Sequence, residues 1–446
     1  MNVEVFIMDA AKIKALDKAH HLHSWSIQSQ LDPLVFSHGQ GALMWDADGK
    51  RYLDFSSQLM NLNTGHQHPK IVKAIQDWAE KCCFIGPGYA YESRSLLVEK
   101  LAQITPDNIS HFFFTLGGAE AVENAVKMAK LYSGKQKVIS RYRSYHGATM
   151  GAVSLTGDPR RWAAEPGIPG VLKIFDPYCY RCSFGLEYPS CKLRCAENVA
   201  EVMMYEGAKD YVAAVIVESV TGSNGIIVPP DGYFQRLREI CDEFNVLLIC
   251  DEVMAGFGRT GQWFAFENWG IKPDIITMAK GLTSGYMPLG CVAVSQDIAD
   301  YFQDNMLWCG LTYNAHPLSC GAAVACLEVY EEENLINKTK ELGEICRIEL
   351  NKLKEKHKCV GQARGIGLFW VLELVKDKQT REPISPFNTM NELSKEIVKR
   401  LKQGGVLTFV HWHKIFVVPP LVITEEELRE GLAVIDDVLD FVDSQI

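Results

Sequence analysis

No apolar run in the 446-residue chain reaches the roughly 18 residues a helix needs to cross a bilayer, so a helical membrane span is excluded. Basic residues are in the minority: 45 Lys and Arg stand against 55 Asp and Glu, for a net charge of −10. A nucleic-acid backbone or an acidic membrane surface rewards clustered cations, so neither is expected as a partner. A small anionic ligand escapes that argument, since one or two placed cations suffice. Met1–Ala11 carries neither a basic n-region nor a cleavable apolar stretch, so the expectation is a cytoplasmic chain with free thiols. Internal repeats, low-complexity tracts and Gly/Ser linkers are also lacking. With 47% hydrophobic and 22% charged residues, the composition excludes disorder, collagen and a small disulfide scaffold. Cysteine is what the chain has in plenty: 14 residues, four of them (Cys179, Cys182, Cys191 and Cys195) in one short window.

Met8–His23 reads as helix, followed by a hairpin in which Ala42–Trp45 and Arg51–Phe55 flank a turn ending in Gly49, a residue free to take positive φ. From Pro69 to Val294 helical patterns alternate with short apolar runs. These are His111–Thr115, Val138–Ser140, Val171–Phe175, Val212–Val217, Val246–Cys250, Ile275–Met278 and Val292–Val294. The clearest helices between them are Ala119–Leu131 and Tyr233–Phe244. A run such as Val212–Val217 is apolar throughout rather than alternating, so both its faces must be covered, the mark of a parallel sheet between helix layers. Beyond residue 330 come long helices, a strand at Gly367–Leu374 and a helix over Asn388–Lys402. A capping box of Thr424 and Glu427 announces the last helix. The expected architecture is α/β: a large domain over 61–330 with a mostly parallel sheet, and a smaller α+β domain over 331–446 joined by the N-terminal segment 1–60. The cysteine-bearing stretch at about 176–195 reads as an insert.

Four segments near predicted strand ends carry chemistry. In Thr115-Leu-Gly117-Gly118-Ala119-Glu120-Ala121 a strand runs through two glycines into a helix, whose free amides and dipole suit a phosphate. In Val246-Leu-Leu-Ile-Cys-Asp251-Glu252 a buried strand ends in two carboxylates, costly unless something cationic meets them. For Glu252 a cap or surface turn is a sufficient reading; for Asp251, on the strand end itself, it is not. Lys280 leaves the strand that follows Asp274, where a lysine is either solvated or an activated amine. Tyr145-His146-Gly147 supplies an aromatic ring after the strand Val138–Ser140. Jointly, a phosphate turn, a stacking ring, an Asp and a later Lys describe a pyridoxal phosphate (PLP) site.

With these motifs, with Asp251-Glu-Val253-Met254-Ala-Gly-Phe-Gly-Arg259-Thr-Gly261 and with Thr312-Tyr-Asn-Ala-His316-Pro317, the chain resembles the class III (ω-) aminotransferases of PLP fold type I along nearly its whole length. The resemblance implies that Lys280 is the Schiff-base lysine and proton shuttle, and that Asp251 pairs with the pyridine nitrogen. Val253 and Tyr145 would cover the two ring faces. Gly117, Gly118 and Ala119 would hold the phosphate, and His146 and Glu218 would border the cofactor. Thr312 would reach the phosphate of a neighbouring subunit, making a homodimer the working unit.

Departures from the family pattern bear on the substrate. Ala119 stands where Ser or Thr is usual, and Met254 where many relatives carry Gln. Phe416, in Lys414-Ile-Phe416-Val-Val-Pro419-Pro420, occupies the place of an Arg that clamps the keto acid's carboxylate, so Glu218 should lack that Arg as a partner. Arg160 or Arg161 is then the candidate cation, and Trp25 a candidate neighbour whose indole N–H suits a sulfonate; core packing is the plainer reading of Trp25. Together with the cysteine insert, these features most resemble taurine aminotransferases using 2-oxoglutarate, working by a ping-pong scheme. Pyruvate-dependent taurine, β-alanine and 4-aminobutyrate aminotransferases are the alternatives, and a racemase or aminomutase of the same fold is a further one.

Two signals are set aside. Gly256-Phe-Gly258-Arg-Thr-Gly261 spells a dinucleotide fingerprint, but no helix evidently follows it. Cys179-x2-Cys182-x8-Cys191-x3-Cys195 has a spacing a metal could use, yet a thiol-rich loop is preferred and no metal is expected. The groups His20, His21, His23 and His411, His413 lack matching ligands in sequence and read as site walls or surface.

Overall fold

A computed structural model describes residues 8–446. The hairpin forms as expected, with β1 (Phe36–Gln40), β2 (Leu43–Asp46) and β3 (Arg51–Asp54) in antiparallel register. Its turn closes on the Asp46 carboxylate, which accepts the amides of Asp48 and Lys50 at 3.0 and 2.9 Å, while Gly49 sits at φ +81°.

All seven apolar runs become strands of one sheet: β4 (Ile109–Thr115), β5 (Lys137–Arg141), β6 (Val171–Ile174), β7 (Val212–Glu218), β8 (Leu247–Asp251), β9 (Ile275–Met278) and β10 (Gly290–Ser295). Their order is β4-β10-β9-β8-β7-β5-β6, and β10 is the one strand antiparallel to its neighbours. Every residue of β7 is buried. Ala214 and Ile216 face the apolar layer under the helix Gly118–Ser133, whereas Val215 and Val217 face the opposite core, so the period of two serves two cores at once.

The chain ends build the rest. β11 (Val360–Ile366), β12 (Phe369–Asp377), β13 (Glu382–Pro383), β15 (Val410–His411) and β16 (Lys414–Val417) form a second sheet, and β14 (Val406–Leu407) pairs in parallel with β3. The last helix, Glu425–Gln445, starts with the anticipated box: Thr424 Oγ1 accepts the Glu427 amide at 3.2 Å and Glu427 accepts the Thr424 amide at 2.9 Å.

Several boundaries differ for local reasons. The first helix is Ala10–His20 and ends before the predicted His23. The predicted helix at Asn388 begins at Glu392, because the Asn391 side chain caps it by accepting the Ser394 amide at 2.9 Å. Gly367 takes φ +59° and keeps β12 from starting before Phe369. After the glycines of 256–261 comes only a one-turn helix, Ala265–Trp269, too short for a pyrophosphate site. Arg259 in that loop is fully buried and donates to Leu368 O (3.1 Å), Pro419 O, Ser57 Oγ (3.1 Å) and Asn63 Oδ1 (2.6 Å). It thereby fastens the segment after β8 to both chain ends.

Candidate active site

Strands β4, β5, β7, β8 and β9 run parallel, and the residues leaving their carboxyl ends converge, as expected of an open α/β sheet. They enclose a cavity of about 250 Å³ lined by Gly118, Ala119, Tyr145, His146, Glu218, Asp251, Val253 and Lys280 among others.

Asp251 ends β8 and is 3% exposed. Its Oδ1 accepts the Thr277 hydroxyl at 3.0 Å and the Val253 amide at 3.1 Å, and its Oδ2 lies 2.6 Å from His146 Nδ1. The other imidazole nitrogen, His146 Nε2, is buried without a partner among the described residues. Such a network fixes a carboxylate in one orientation, with His146 behind it.

Lys280 follows β9 with φ +44°, a conformation L side chains adopt at a cost and mostly where a site requires it. Burial draws its ammonium down to about 8, against the opposing pull of Glu218 and Asp251. An amine in that range exchanges protons readily near neutral pH.

The helix Gly118–Ser133 starts from Gly117, whose backbone is extended. A Cβ on Gly118 would lie 2.7 Å from Val253 Cγ1, so only glycine lets the helix start approach that side chain. The resulting amide-rich end fits an anion. Glu120 closes the turn by accepting the Leu116 amide at 2.8 Å.

Glu218 is not orphaned by the missing Arg. Its carboxylate accepts the amides of Tyr145 (2.9 Å) and Gly222 (2.8 Å), and the Arg141 guanidinium donates to its main-chain oxygen. Burial raises its carboxyl above the usual range, aided by Asp251, while His146 and the two amides oppose the shift. Phe416, where the clamp was missed, is fully buried against Phe409 at 5.0 Å between ring centroids. Glu252 is no surface turn: it is fully buried, holds the amides of Ala265 (2.7 Å) and Phe266 (3.2 Å), and burial pushes its carboxyl up to about 8.

At the mouth, the Arg160 guanidinium carbon lies 3.6 Å from the centre of the Tyr145 ring and 5.5 Å from that of Trp25. Trp25 stands edge-on to Tyr145 at 6.4 Å and is 62% exposed, which overturns the core-packing reading. Asp158 fixes Arg160: its carboxylate accepts Nε at 2.9 Å, a second guanidinium N–H, the Arg160 amide at 2.9 Å, and Asn224 Nδ2 at 3.0 Å. Nη1 of the guanidinium has no hydrogen-bond partner among the described residues and remains for a ligand. Arg161 is committed elsewhere, to Glu165 Oε1 at 2.9 Å and to Gly157 O.

His411 stands behind the cavity lining rather than in it: its Nδ1 lies 2.9 Å from the main-chain oxygen of Ser223, a lining residue, and burial with Lys414 and Arg160 nearby pulls its imidazole down to about 4. His413 is likewise buried, near Glu373 at 3.5 Å, and so is not surface. Thr312 lies in an exposed stretch and does not line the cavity of its own chain. The four insert cysteines form no disulfide, and no three of their sulfurs lie within 4.8 Å of one another.

A basic amine, a fixed carboxylate, an amide-rich helix start and an aromatic ring around one cavity are the donor set a pyridoxal phosphate needs. Asp251 could meet its ring nitrogen, Gly117–Ala119 its phosphate, and Tyr145 and Val253 its faces. The class-III aminotransferase sequence profile matches residues 26–439. The chain belongs to that family. It is a PLP-dependent transaminase with the family's fold type I architecture. Among solved structures it is similar to the taurine:2-oxoglutarate aminotransferase of Bifidobacterium kashiwanohense in complex with PLP and glutamate. That match has 42% identity and a TM-score of 0.94 over 98% of this chain and 99% of the other. Among curated proteins it is 37% identical to a leucine/methionine racemase of Thermococcus litoralis, over 90% of this chain and 89% of that one. It is 34% identical to the taurine–pyruvate aminotransferase of Bilophila wadsworthia, over 98% and 99%.

Proposed function

We propose that the enzyme moves the amino group of taurine to 2-oxoglutarate, giving sulfoacetaldehyde and glutamate by a ping-pong scheme. The observation that carries this reading is the mouth of the site. Arg160 is held by Asp158 against Tyr145 and Trp25, and the β16 position of a carboxylate-clamping Arg is a buried Phe416. A guanidinium with one end free beside an indole N–H suits a sulfonate, whose charge is spread over three oxygens. The likeness to a taurine:2-oxoglutarate enzyme supports the same choice.

PLP, when bound, supplies an electron sink for the donor's amine-bearing carbon. The chain's own groups do the rest. Lys280 Nζ would take the proton from that carbon and, in the return half of the exchange, deliver one to the matching carbon of the acceptor. Asp251, steadied by His146 and Thr277, holds the ring nitrogen's proton. Glu218 keeps Tyr145 and the Gly222 turn in place through their amides. We assign the phosphate to Gly117–Ala119 and, across a homodimer, to Thr312 of the neighbouring subunit; the protein works in the cytoplasm. Residues 61–330 are taken as the cofactor domain, with 1–60 and 331–446 as the smaller one.

A steady-state panel tests the reading. Taurine, β-alanine and 4-aminobutyrate are offered with 2-oxoglutarate or pyruvate, and glutamate or alanine is measured. Taurine with 2-oxoglutarate should give the highest kcat/KM; a higher value for another pair refutes it. Inversion of an amino acid without any keto acid would place the chain with its racemase relative instead.

A further inference from the structure

The helix Ala10–His20 buries none of its residues, so core packing does not explain how its end is held. Asp17 lies in its last turn, and His21 is the extended residue that ends it, its amide donating to Asp17 O at 2.9 Å. His23, from the following loop, folds back over them. Its Nε2 lies 2.6 Å from Asp17 Oδ2, and its ring meets that of His21 edge-on at 4.7 Å. One ligand atom from each of the three lies within 4.8 Å of the other two. A small inward turn of the side chains would bring those atoms to the roughly 2.0–2.2 Å an ion needs, and two imidazoles with a carboxylate are a donor set zinc uses.

Two further features favour a prepared site over a chance cluster. The His23 backbone is clamped by Gln28, which accepts its amide at 3.0 Å and donates to its carbonyl at 2.9 Å. Lys14 on the same helix is drawn away to Asp32 at 2.9 Å, while the ion pair of Asp17 is with His23.

We propose that Asp17, His21 and His23 bind one divalent transition-metal ion of the zinc type, with solvent completing the shell. The ion would staple the helix end to the loop that continues to Trp25, and Trp25 faces Tyr145 at the mouth of the cavity. Its role is structural, and it does not depend on which amino donor the enzyme uses.

Cobalt(II) titrated into the holoenzyme, followed by calorimetry and absorption spectroscopy, tests this. The wild type should bind one equivalent with visible bands of nitrogen and oxygen ligation and no intense sulfur charge-transfer band. H21A/H23A should lose that equivalent, D17N should bind at least about tenfold more weakly, and H20A should match the wild type, with the PLP absorbance unchanged in all. Equal binding by wild type and H21A/H23A overturns the proposal. So does a thiolate band, which would place the ion among the insert cysteines.

Discussion

The guanidinium carbon of Arg160 lies 3.6 Å from the centre of the Tyr145 ring, while Asp158 grips its Nε at 2.9 Å. A cation so held is pre-positioned, so an anionic substrate does not have to order it. Replacing Arg160 by Ala removes a charge-assisted contact of about 1.5–3 kcal/mol, a rise of roughly 10- to 100-fold in the KM for taurine. Initial-rate kinetics with taurine check this, and an unchanged KM would sink the sulfonate clamp.

Lys280→Ala removes the one amine that, among the described residues, lines the cavity. Turnover should fall below detection and the visible absorbance of the lysine-linked cofactor should vanish. Rate assays and absorption spectra report both, and retained transamination would refute the role given to Lys280.

His146→Ala takes away the 2.6 Å partner of Asp251 and leaves that carboxylate with one oxygen unserved in a buried site. The charged contact is worth about 1.5–3 kcal/mol, so PLP should dissociate roughly 10- to 100-fold more readily. Equilibrium dialysis of the cofactor measures it.

Gly431 lies inside the last helix, where Ala would ordinarily add about 1 kcal/mol of helix stability. Here the added Cβ would come 2.1 Å from the buried Phe55 ring, which has no room to retreat. Overpacking of about 1–3 kcal/mol outweighs the propensity gain, so Gly431→Ala should lower the Tm.

Lys414 is buried on β16, and its ammonium is pulled down to about 7 by burial, with Arg364, Arg143 and Arg181 adding and Glu373 opposing. The unfolded chain therefore holds this proton more tightly than the native one, so this group's contribution to stability rises with pH from about 7 to about 10.5. Lys414→Met removes the buried charge. It should raise the Tm more at pH 6 than at pH 9, as thermal melts at the two pH values would show.

The central sheet was legible because its strands are buried on both faces and so are written as unbroken apolar runs; β9 was placed to the residue. Lys280, Asp251 and Gly118 could be read because a strand end, a charge and a glycine pair each leave a local mark. Asp158 was missed although it precedes Pro159 and caps the short helix there, the sign of an N-cap. Asn224 leaves no mark in the sequence and His411 reads only as site wall or surface, since their approach to Asp158 and Ser223 is a product of chain crossing rather than of spacing. Glu218 does lack the Arg, as the sequence indicates, but what holds it instead was not legible: backbone amides, which no sequence displays, do the work expected of a side chain.

Arg259 binds oxygens contributed by Ser57, Asn63, Leu368 and Pro419, residues separated by almost the whole chain. A nascent chain that has emerged only as far as Lys280 has the lysine proposed as the reactive amine but not the last two of these anchors. Retention of the cofactor should thereby depend on completion of synthesis: a product truncated before Leu368 should fail to keep PLP even with Gly117–Ala119, Asp251, Lys280 and Thr312 present.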